Sequence, residues 1–304
     1  MRARGAHSAP DPASAEAPHG TAPLRLRGRE VAAYVWQPSL PRSASPRPYL
    51  HPVRTLGGLT VTDRTPASHP HQLGISVATP DLDGHNFWGG RTYVAGHGPA
   101  WLDNHGTQRH QRWLHRTGTE LVHDLCWLDA HGRTLLRERR TIGCRPAGAT
   151  AWALDVRTRL TNATDRPLAF RTPAALGRAG AGFGGVFWRG PAVAAAHVLS
   201  PDGPGVPAAH GRPAAWVAVG GTSPGPDGAS WTMLFTAGDD VTARDRWFVR
   251  ARDYVGVGSS LAWDRPLTLP AGESLARHVV VVVADGLLSP ATAAGLARAA
   301  GRAP

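Results

Sequence analysis

The sequence has no lysine, so all 33 of its basic residues are arginine. Together with 22 acidic residues they give a net charge of +11, a value typical of proteins that bind nucleic acid or an anionic surface. The arginines are scattered, however, and no helix-turn-helix, zinc-finger or RNA-binding motif accompanies them. The composition therefore predicts a basic surface without a nucleic-acid partner.

Cysteine and long apolar runs are equally scarce. The two cysteines, Cys126 and Cys144, lie in strand-like segments, and the first 20 residues lack the apolar core of a secretory signal. No window approaches the roughly 18 apolar residues of a membrane-spanning helix, and the longest apolar runs, such as residues 279–284, have the length of a strand. We therefore expect a soluble, cytoplasmic protein with reduced thiols and no membrane contact.

Glycine, proline and tryptophan are abundant by contrast, with 36, 27 and 11 residues, which indicates many turns and an ample core. Between the turns apolar and polar residues alternate, as in residues 150–173, where Trp152 and Leu154 share a face. Only the tail has helical signals, with Ser289 as a cap and Pro290 in the first helical position. The pattern predicts an all-β protein, a large antiparallel β-sandwich with a short C-terminal helix.

The same signals predict the domain organisation. Residues 1–22 are rich in alanine, proline and serine and are expected to form a disordered leader. Residues 23–288 are expected to form a single β-sandwich domain, and residues 289–304 the C-terminal helix and tail.

Polar, titratable and aromatic residues are concentrated in residues 48–113, where loops on a β scaffold would present them to a ligand. Within this stretch His69 and His71 flank Pro70. A proline favours an extended conformation in the residue before it, and alternate residues of an extended segment share a face. The two imidazoles are therefore predicted to lie on one side of an extended segment.

Three interpretations of this histidine pair stay open. With His51 or His105 as a third ligand and Asp103 as a fourth, the pair could bind zinc, iron or manganese. The histidines could instead act as acid/base or hydrogen-bonding groups without a metal, or have purely structural roles.

Other residues suit a carbohydrate ligand, because aromatic faces stack on sugar C–H groups while amides, carboxylates and guanidinium groups bond hydroxyls. The predicted substrate-binding residues are Arg54, Asn86, Trp88, Arg91, Asp103, Asn104, Trp188 and Arg189.

Several familiar catalytic patterns are missing from the sequence. The glycine-rich segment at 177–191 does not lie between a strand and a helix of a βαβ unit, which argues against a dinucleotide site. The sequence has no recognisable Ser-His-Asp arrangement, and it does not identify a pair of carboxylates like that of glycosidases. The sequence therefore requires no cofactor, although a divalent metal remains an option.

Four motifs together resemble the bacterial methane oxygenase PmoA-like family over residues 30–288: LHPVRTLGGLTVTD, SHPHQLGISVATPDLDGHNFWGGRTYV, WLDNHGTQRH and GRAGAGFGGVFWRGP. The resemblance implies a galactose-mutarotase-like supersandwich and a sugar-oxidoreductase partner. The histidine loop of that family reads Asp-His-Pro-His-His, whereas this chain has Ser68 and Gln72 at its ends. The loss of one carboxylate and one imidazole weakens the case for a metal.

Three functional hypotheses follow. The first is a protein that binds a sugar or sugar derivative and acts as an epimerase, lyase or hydrolase, with His51, His69, His71 and His105 as catalytic residues. The second is a non-catalytic sugar-binding partner of an oxidoreductase. The third is a metal-dependent oxygenase, as the family's name implies, in which His69 and His71 would hold the metal.

Overall fold

The structure is a computed structural model that describes residues 20–193, 195–223, 228–252 and 254–301. The strands of the first half are β1 (Thr21–Leu26), β2 (Arg29–Val35), β3 (Tyr49–Val53), β4 (Ile75–Ala78), β5 (Asp81–Leu82), β6 (Thr92–Val94), β7 (Gly98–Ala100), β8 (Thr107–Arg116), β9 (Glu120–Leu128), β10 (Thr134–Pro146) and β11 (Ala151–Asn162). The second half contributes β12 (Leu168–Arg171), β13 (Gly185–Arg189), β14 (Ala196–Ser200), β15 (Gly203–Pro204), β16 (Trp216–Thr222), β17 (Ser230–Ala237), β18 (Arg246–Arg250), β19 (Gly256–Ser260), β20 (Leu267–Leu269) and β21 (Ser274–Asp285). The helices are α1 (Val206–Ala209) and α2 (Pro290–Gly301), with short 3₁₀ turns at Arg42–Ala44 and Thr242–Arg244.

Two large antiparallel sheets contain 16 of the 21 strands in the described part of the chain. The seven-stranded sheet has the order β1-β2-β3-β4-β13-β19-β18, and the nine-stranded sheet has the order β15-β14-β16-β17-β21-β11-β10-β9-β8. Their inner faces share one hydrophobic core, in which Trp188 of β13 packs edge-on against Phe235 of β17 at 5.4 Å between ring centroids. Two small sheets, β20-β12-β5 and β6-β7, complete the fold. The predicted all-β antiparallel sandwich with a short C-terminal helix is confirmed.

The alternation predicted for residues 150–173 appears in β11, although both faces of its first half are buried. Trp152 and Leu154 point into the core between the sheets. Ala151 and Ala153 point outward, into a second apolar cluster that also contains alanines of α2 such as Ala297. Small side chains let the helix approach the sheet closely, so this outer face is not left to solvent.

The predicted domain boundaries are only partly within the described residues. Residues 1–19 of the predicted leader and residues 302–304 of the tail lie outside them, and β1 begins at Thr21. The division into leader, sandwich and tail stays a prediction. No helix in the described part of the chain is long and apolar enough to cross a membrane.

A buried ion pair connects the two sheets through the core. Side chains alternate along β10, which places Glu138 and Arg140 on its inner face beside apolar neighbours. The Arg140 guanidinium donates to both carboxylate oxygens of Glu138 at 2.7 Å, and it also reaches the Tyr34 hydroxyl of the facing sheet at 3.3 Å. Trp127 Nε1 and Thr158 Oγ1 each donate to the same carboxylate at 2.7 Å. Both charges are therefore satisfied although neither touches water.

We predict that Glu138→Gln destabilises the protein by about 3–5 kcal/mol, because it leaves the buried Arg140 charge without its counterion. The measurement is the free energy of unfolding from urea denaturation. Asp264→Asn is the control, since it removes the exposed Arg246–Asp264 pair and should cost roughly 0–1 kcal/mol. Equal losses in the two variants would contradict the role assigned to the buried pair.

Candidate functional site

A cleft of about 490 Å³ lies over the outer face of the seven-stranded sheet. Its floor is a small apolar cluster that includes Trp88, Phe183, Phe187 and Phe248. The alternation along β13 explains this floor, since Phe187 faces outward while the next residue, Trp188, faces the core. Loops between the strands of this sheet form the walls. The polar and aromatic lining includes His69, His71, Gln72, Tyr93, Trp101 and Tyr254.

The histidine pair lies on a tight turn, so the prediction of an extended segment is wrong. The amide of Gln72 donates to the carbonyl of His69 at 2.9 Å, which closes a four-residue turn with Pro70 in its second position. Proline is favoured there because its fixed φ suits that position, and the residue before it can still be extended. The two rings nevertheless lie close together, 5.8 Å apart between centroids, and both line the cleft.

Arg47 holds the loops of the cleft together from below. Its side chain is fully buried, and its guanidinium donates to the carbonyls of Ala44, Ser45, Trp88 and His71 at 2.9–3.1 Å. Burial, with a smaller contribution from the positive charge of Arg140, lowers the pKa of Arg47 to about 9. Arg47 therefore keeps its charge at neutral pH and links the turn that carries His71 to the loop that carries Trp88.

Two glycines make room for the His71 ring. A Cβ at Gly90 would lie 2.7 Å from Nδ1 and Cε1 of His71, and a Cβ at Gly89 would lie 2.7 Å from the Cβ of His71. Both glycines also have a positive φ, +95° at Gly89 and +70° at Gly90, which other residues rarely adopt. The Gly-Gly pair after Trp88 is thus required for the wall of the cleft.

Asn86 stabilises this glycine loop. Its Oδ1 accepts from the amides of Trp88 and Gly89 at 2.8 Å, and its Nδ2 donates to Thr92 Oγ1 at 3.0 Å and to the Gly90 carbonyl at 3.3 Å. Its amide is therefore fully used by the protein itself. Asn86, predicted to bind substrate, lines the cleft but shapes it instead of offering a free donor or acceptor.

His71 is held in its neutral form. Burial, followed by the nearby positive charge of Arg47 and smaller effects of His69, His105 and Arg189, lowers the pKa of His71 to about 3. Burial, followed by the charge of Arg189, also lowers the pKa of the more exposed His69. At neutral pH both rings can accept a hydrogen bond at one nitrogen and donate at the other.

Gln72 presents a donor to the cleft. Arg189 Nη1 donates to Gln72 Oε1 at 2.6 Å, and because a guanidinium can only donate, this contact fixes the orientation of the amide. The Nε2 amide group then faces away from Arg189 in a residue that lines the cleft. Arg189 itself lies beneath, 3.6 Å from Asp63 and with its guanidinium 4.2 Å from the centre of the Tyr254 ring. Arg189, predicted to bind substrate, therefore supports two lining residues from behind.

Of the other residues predicted to bind substrate, Trp88 and Arg91 line the cleft. Trp188 lies in the core, with its Nε1 donating to the Val61 carbonyl at 2.8 Å. The structure thus brings together six of the predicted residues at or directly beneath the cleft: His69, His71, Asn86, Trp88, Arg91 and Arg189.

The structure places two predicted catalytic histidines elsewhere. His51 lines a different surface cleft, where its Nδ1 lies 3.0 Å from Thr62 Oγ1. His105 is buried behind the glycine loop, and its Nε2 donates to the Gly90 carbonyl at 2.7 Å. The four histidines therefore do not converge on one ligand atom, because their strands and loops end on different surfaces.

Three predicted substrate-binding residues also lie outside the cleft. Arg54 is 3.8 Å from Glu30, and the exposed Asp103 is 3.5 Å from Arg42. Asn104 Nδ2 donates to the Gly84 carbonyl at 2.7 Å. These residues were predicted to bind substrate because they lie close in sequence to the histidine pair, but in the fold they lie outside the cleft.

Some lining residues were missed by sequence reasoning. Tyr254, Arg178 and Arg250 come from segments 60 or more positions beyond the predicted stretch, and no local pattern marks them. Trp101, by contrast, belongs to the aromatic and polar mix that the sequence suggests for a carbohydrate, and it is 62% exposed and lines the cleft.

The described residues do not fit a metal centre. Within them no group of three or more His, Cys, Asp or Glu side chains could hold a metal ion. His69 and His71 alone would supply two imidazoles, one fewer than the three protein ligands typical of a catalytic zinc site.

Comparisons with known proteins give a family but no function. Residues 21–298 match the family model described as "Family of unknown function (DUF6807)". The predicted membership of the methane oxygenase PmoA-like family is therefore wrong, because the model that matches carries no such assignment. A comparison with curated protein sequences finds no match.

Three solved structures show a distant likeness. A protein described as an aldose 1-epimerase from Escherichia coli K12 is 11% identical, with 88% of this chain and 80% of that chain covered and a TM-score of 0.34. A heparinase III is 8% identical, covering 85% and 33%, with a TM-score of 0.32. The heparan sulfate lyase HepC of Pedobacter heparinus is 11% identical, covering 60% and 23%, with a TM-score of 0.27. The chain thus spans at most a third of either lyase, and at these TM-scores the likeness carries no argument about function.

We predict that Gly90→Ala destabilises the protein more than Gly84→Ala does. Both glycines have a positive φ, so both variants should lose about 1–2 kcal/mol from backbone strain. Only at Gly90 does the new methyl group also collide with His71, whereas at Gly84 nothing lies within 4 Å. The measurement is the difference in the free energy of unfolding, and equal losses would show that His71 does not pack as described.

We also predict that stability falls as the pH drops below about 6.5. The folded-state pKa values of His71 and His123 are about 3 and about 2, both depressed chiefly by burial, so below pH 6.5 the unfolded chain binds protons that the folded chain does not. The stabilisation is full above pH 6.5 and is lost towards pH 3. Urea denaturation from pH 7 to pH 4 measures this slope, and His71→Asn should reduce it. An unchanged slope in the variant would contradict the assignment.

Proposed function

Because the chain belongs to the DUF6807 family, whose function is unknown, we propose its function from the cleft itself: it binds a carbohydrate or sugar derivative there. The observation that carries this proposal is a lining that combines aromatic rings with hydrogen-bonding groups. Trp101 and Tyr93 line the same cleft as His69, His71 and Gln72. Aromatic rings stack on the C–H faces of sugars, and amide and imidazole groups bond their hydroxyls.

The volume of the cleft and its apolar floor support the same proposal. Its volume of about 490 Å³ falls within the roughly 300–1,000 Å³ typical of small-molecule sites. Its floor is apolar, with Trp88 packed between Phe183 and Phe187 at 4.6 and 4.7 Å between centroids. Rigid aromatic packing below and turn-held polar groups above suit a preformed binding site.

Acid/base catalysis is the second candidate, and the pairing of His69 with His71 favours it. The two rings are close enough to reach neighbouring atoms of one ligand. A pKa of about 3 makes His71 a weak base, so we assign it to hydrogen bonding with the ligand. His69, which is more exposed, is the proposed proton-transfer residue for an epimerase, lyase or hydrolase reaction.

Three other properties expected from the sequence are not part of this proposal. A metal-dependent oxygenase is not proposed, because the described lining offers two imidazoles and no third ligand. The sugar-oxidoreductase partner was implied only by the family resemblance that the comparison overturned. The cytoplasmic location stays a prediction.

We predict that Trp101→Ala weakens sugar binding by roughly 3- to 10-fold, the loss expected when one aromatic contact of about 0.5–1.5 kcal/mol is removed. The measurement is isothermal titration calorimetry with sugars first selected by thermal shift from a panel of neutral and acidic mono- and disaccharides. Leu102→Ala is the matched control, because Leu102 is the next residue and is exposed but does not line the cleft. Failure of every sugar to bind would refute the proposed function.

Incubation of the bound sugars with the protein in D₂O, followed by proton NMR, separates the catalytic from the non-catalytic alternative. Catalysis would be supported if the wild-type protein epimerises, eliminates or hydrolyses the sugar, or exchanges a carbon-bound hydrogen for deuterium, and His69→Asn does not. Binding without any such change, in wild type and variant alike, would support a non-catalytic sugar-binding protein.

A further inference from the structure

We propose that the ligand of this cleft is anionic, a sugar that carries a carboxylate, sulfate or phosphate group, and that Arg91, Arg178 and Arg250 bind this group. This inference rests on the proposed function and narrows its substrate class. All three arginines line the cleft.

None of the three has a carboxylate partner among the described residues, although partners are common elsewhere on this surface. Arg112 and Arg139, for example, share Asp124 at 2.9 and 3.1 Å. Nor does any aspartate or glutamate occur among the described residues that line the cleft. Three guanidinium groups without counterions around one cavity favour an anion there, since arginine binds planar or tetrahedral anions through several N–H groups at once.

The position of Arg250 is defined by an aromatic floor residue. Its guanidinium lies 4.8 Å from the centre of the Phe248 ring, a cation–π contact. Phe248 belongs to the apolar cluster under the cleft. The contact limits the freedom of the arginine side chain, so less entropy is lost when it binds a ligand.

Three backbone carbonyls of residues that line the cleft are already used within the protein. The carbonyls of His71 and Trp88 accept from Arg47 at 2.9 Å, and the carbonyl of Gly90 accepts from His105 Nε2 at 2.7 Å. Donors are left over instead, including Nε2 of Gln72, whose orientation Arg189 fixes. A lining rich in donors fits a ligand rich in acceptors.

The buried positive charge of Arg47, below the cleft, also favours an anionic ligand. Arg47 is 1% exposed and bonds only to carbonyl and hydroxyl oxygens, with no carboxylate within salt-bridge distance among the described residues. Among the described residues no carboxylate therefore cancels its charge, which lies 2.9 Å from the backbone of His71, a residue that lines the cleft. In a region of low dielectric such a charge stabilises an anion more strongly than an exposed one would.

The test compares matched neutral and anionic sugars by isothermal titration calorimetry on the full chain. The probes are methyl β-glucoside with methyl β-glucuronide, methyl β-galactoside with methyl β-galacturonide, and glucose with its 6-sulfate and 6-phosphate. We expect at least one anionic member to bind about tenfold or more tightly than its neutral partner, and added salt to reduce that difference. The member that binds best identifies whether the group is a carboxylate, sulfate or phosphate.

Variants then test the assignment to the arginines. Arg178→Gln and Arg250→Gln should each lower the affinity for the anionic probe by about tenfold. The affinity for its neutral partner should change by less than about threefold. Arg244→Gln, an exposed arginine outside the cleft, is the control and should leave both affinities unchanged.

The possible failures are distinguishable. Equal affinity for neutral and anionic partners, or anion binding that survives loss of both arginines, would overturn this inference and leave the proposed sugar binding intact. Absence of binding by every probe would overturn the proposed function itself.

Discussion

The guanidinium of Arg47 lies where four loop carbonyls converge, and the shape of the cleft depends on this contact. The carbonyls belong to three separate segments, at residues 44–45, 71 and 88, which no strand pairing joins directly. One rigid, planar group can reach all of them: Nη2 donates to the carbonyl of residue 71, and the other three carbonyls share the two N–H groups of Nη1. A lysine at this position could offer three donors from a single point, so arginine is a physical requirement here.

A second buried arginine shows what Arg47 lacks. Arg140 is paired with Glu138 through two hydrogen bonds of 2.7 Å, and that carboxylate neutralises its charge within the core. Arg47 has only carbonyl and hydroxyl partners among the described residues, so its charge is solvated by dipoles and not cancelled. Arg140 therefore joins the two sheets, while the charge of Arg47 contributes to the electrostatic potential of the cleft. Burial is the main cause of the lowered pKa of His71, and the charge of Arg47 is the next largest.

The sequence predicted the fold well, because strand alternation and turn residues are local signals. It also placed the histidine pair and Trp88 in the candidate site. It did not show that Trp188 lies in the core while its neighbour Phe187 lies under the cleft. Adjacent residues of a strand point to opposite faces, and the sequence alone does not say which face is which. Nor could it find Arg250 and Tyr254, since only the pairing of distant strands brings them to the loop at residues 68–72. Local patterns specify elements, whereas the site is assembled by long-range packing.

The electrostatics of the cleft connect ligand charge to chemistry. Burial and the surrounding positive groups lower the pKa of both His69 and His71 and so favour their neutral forms. A bound anion would offset the positive potential and favour the protonated imidazole, so it would raise the pKa of each ring. The ligand would then supply the charge that makes a histidine an effective proton donor. In a cleft built this way, the anionic sugar that we propose would both bind more tightly than a neutral one and favour acid catalysis at His69, the residue proposed for proton transfer.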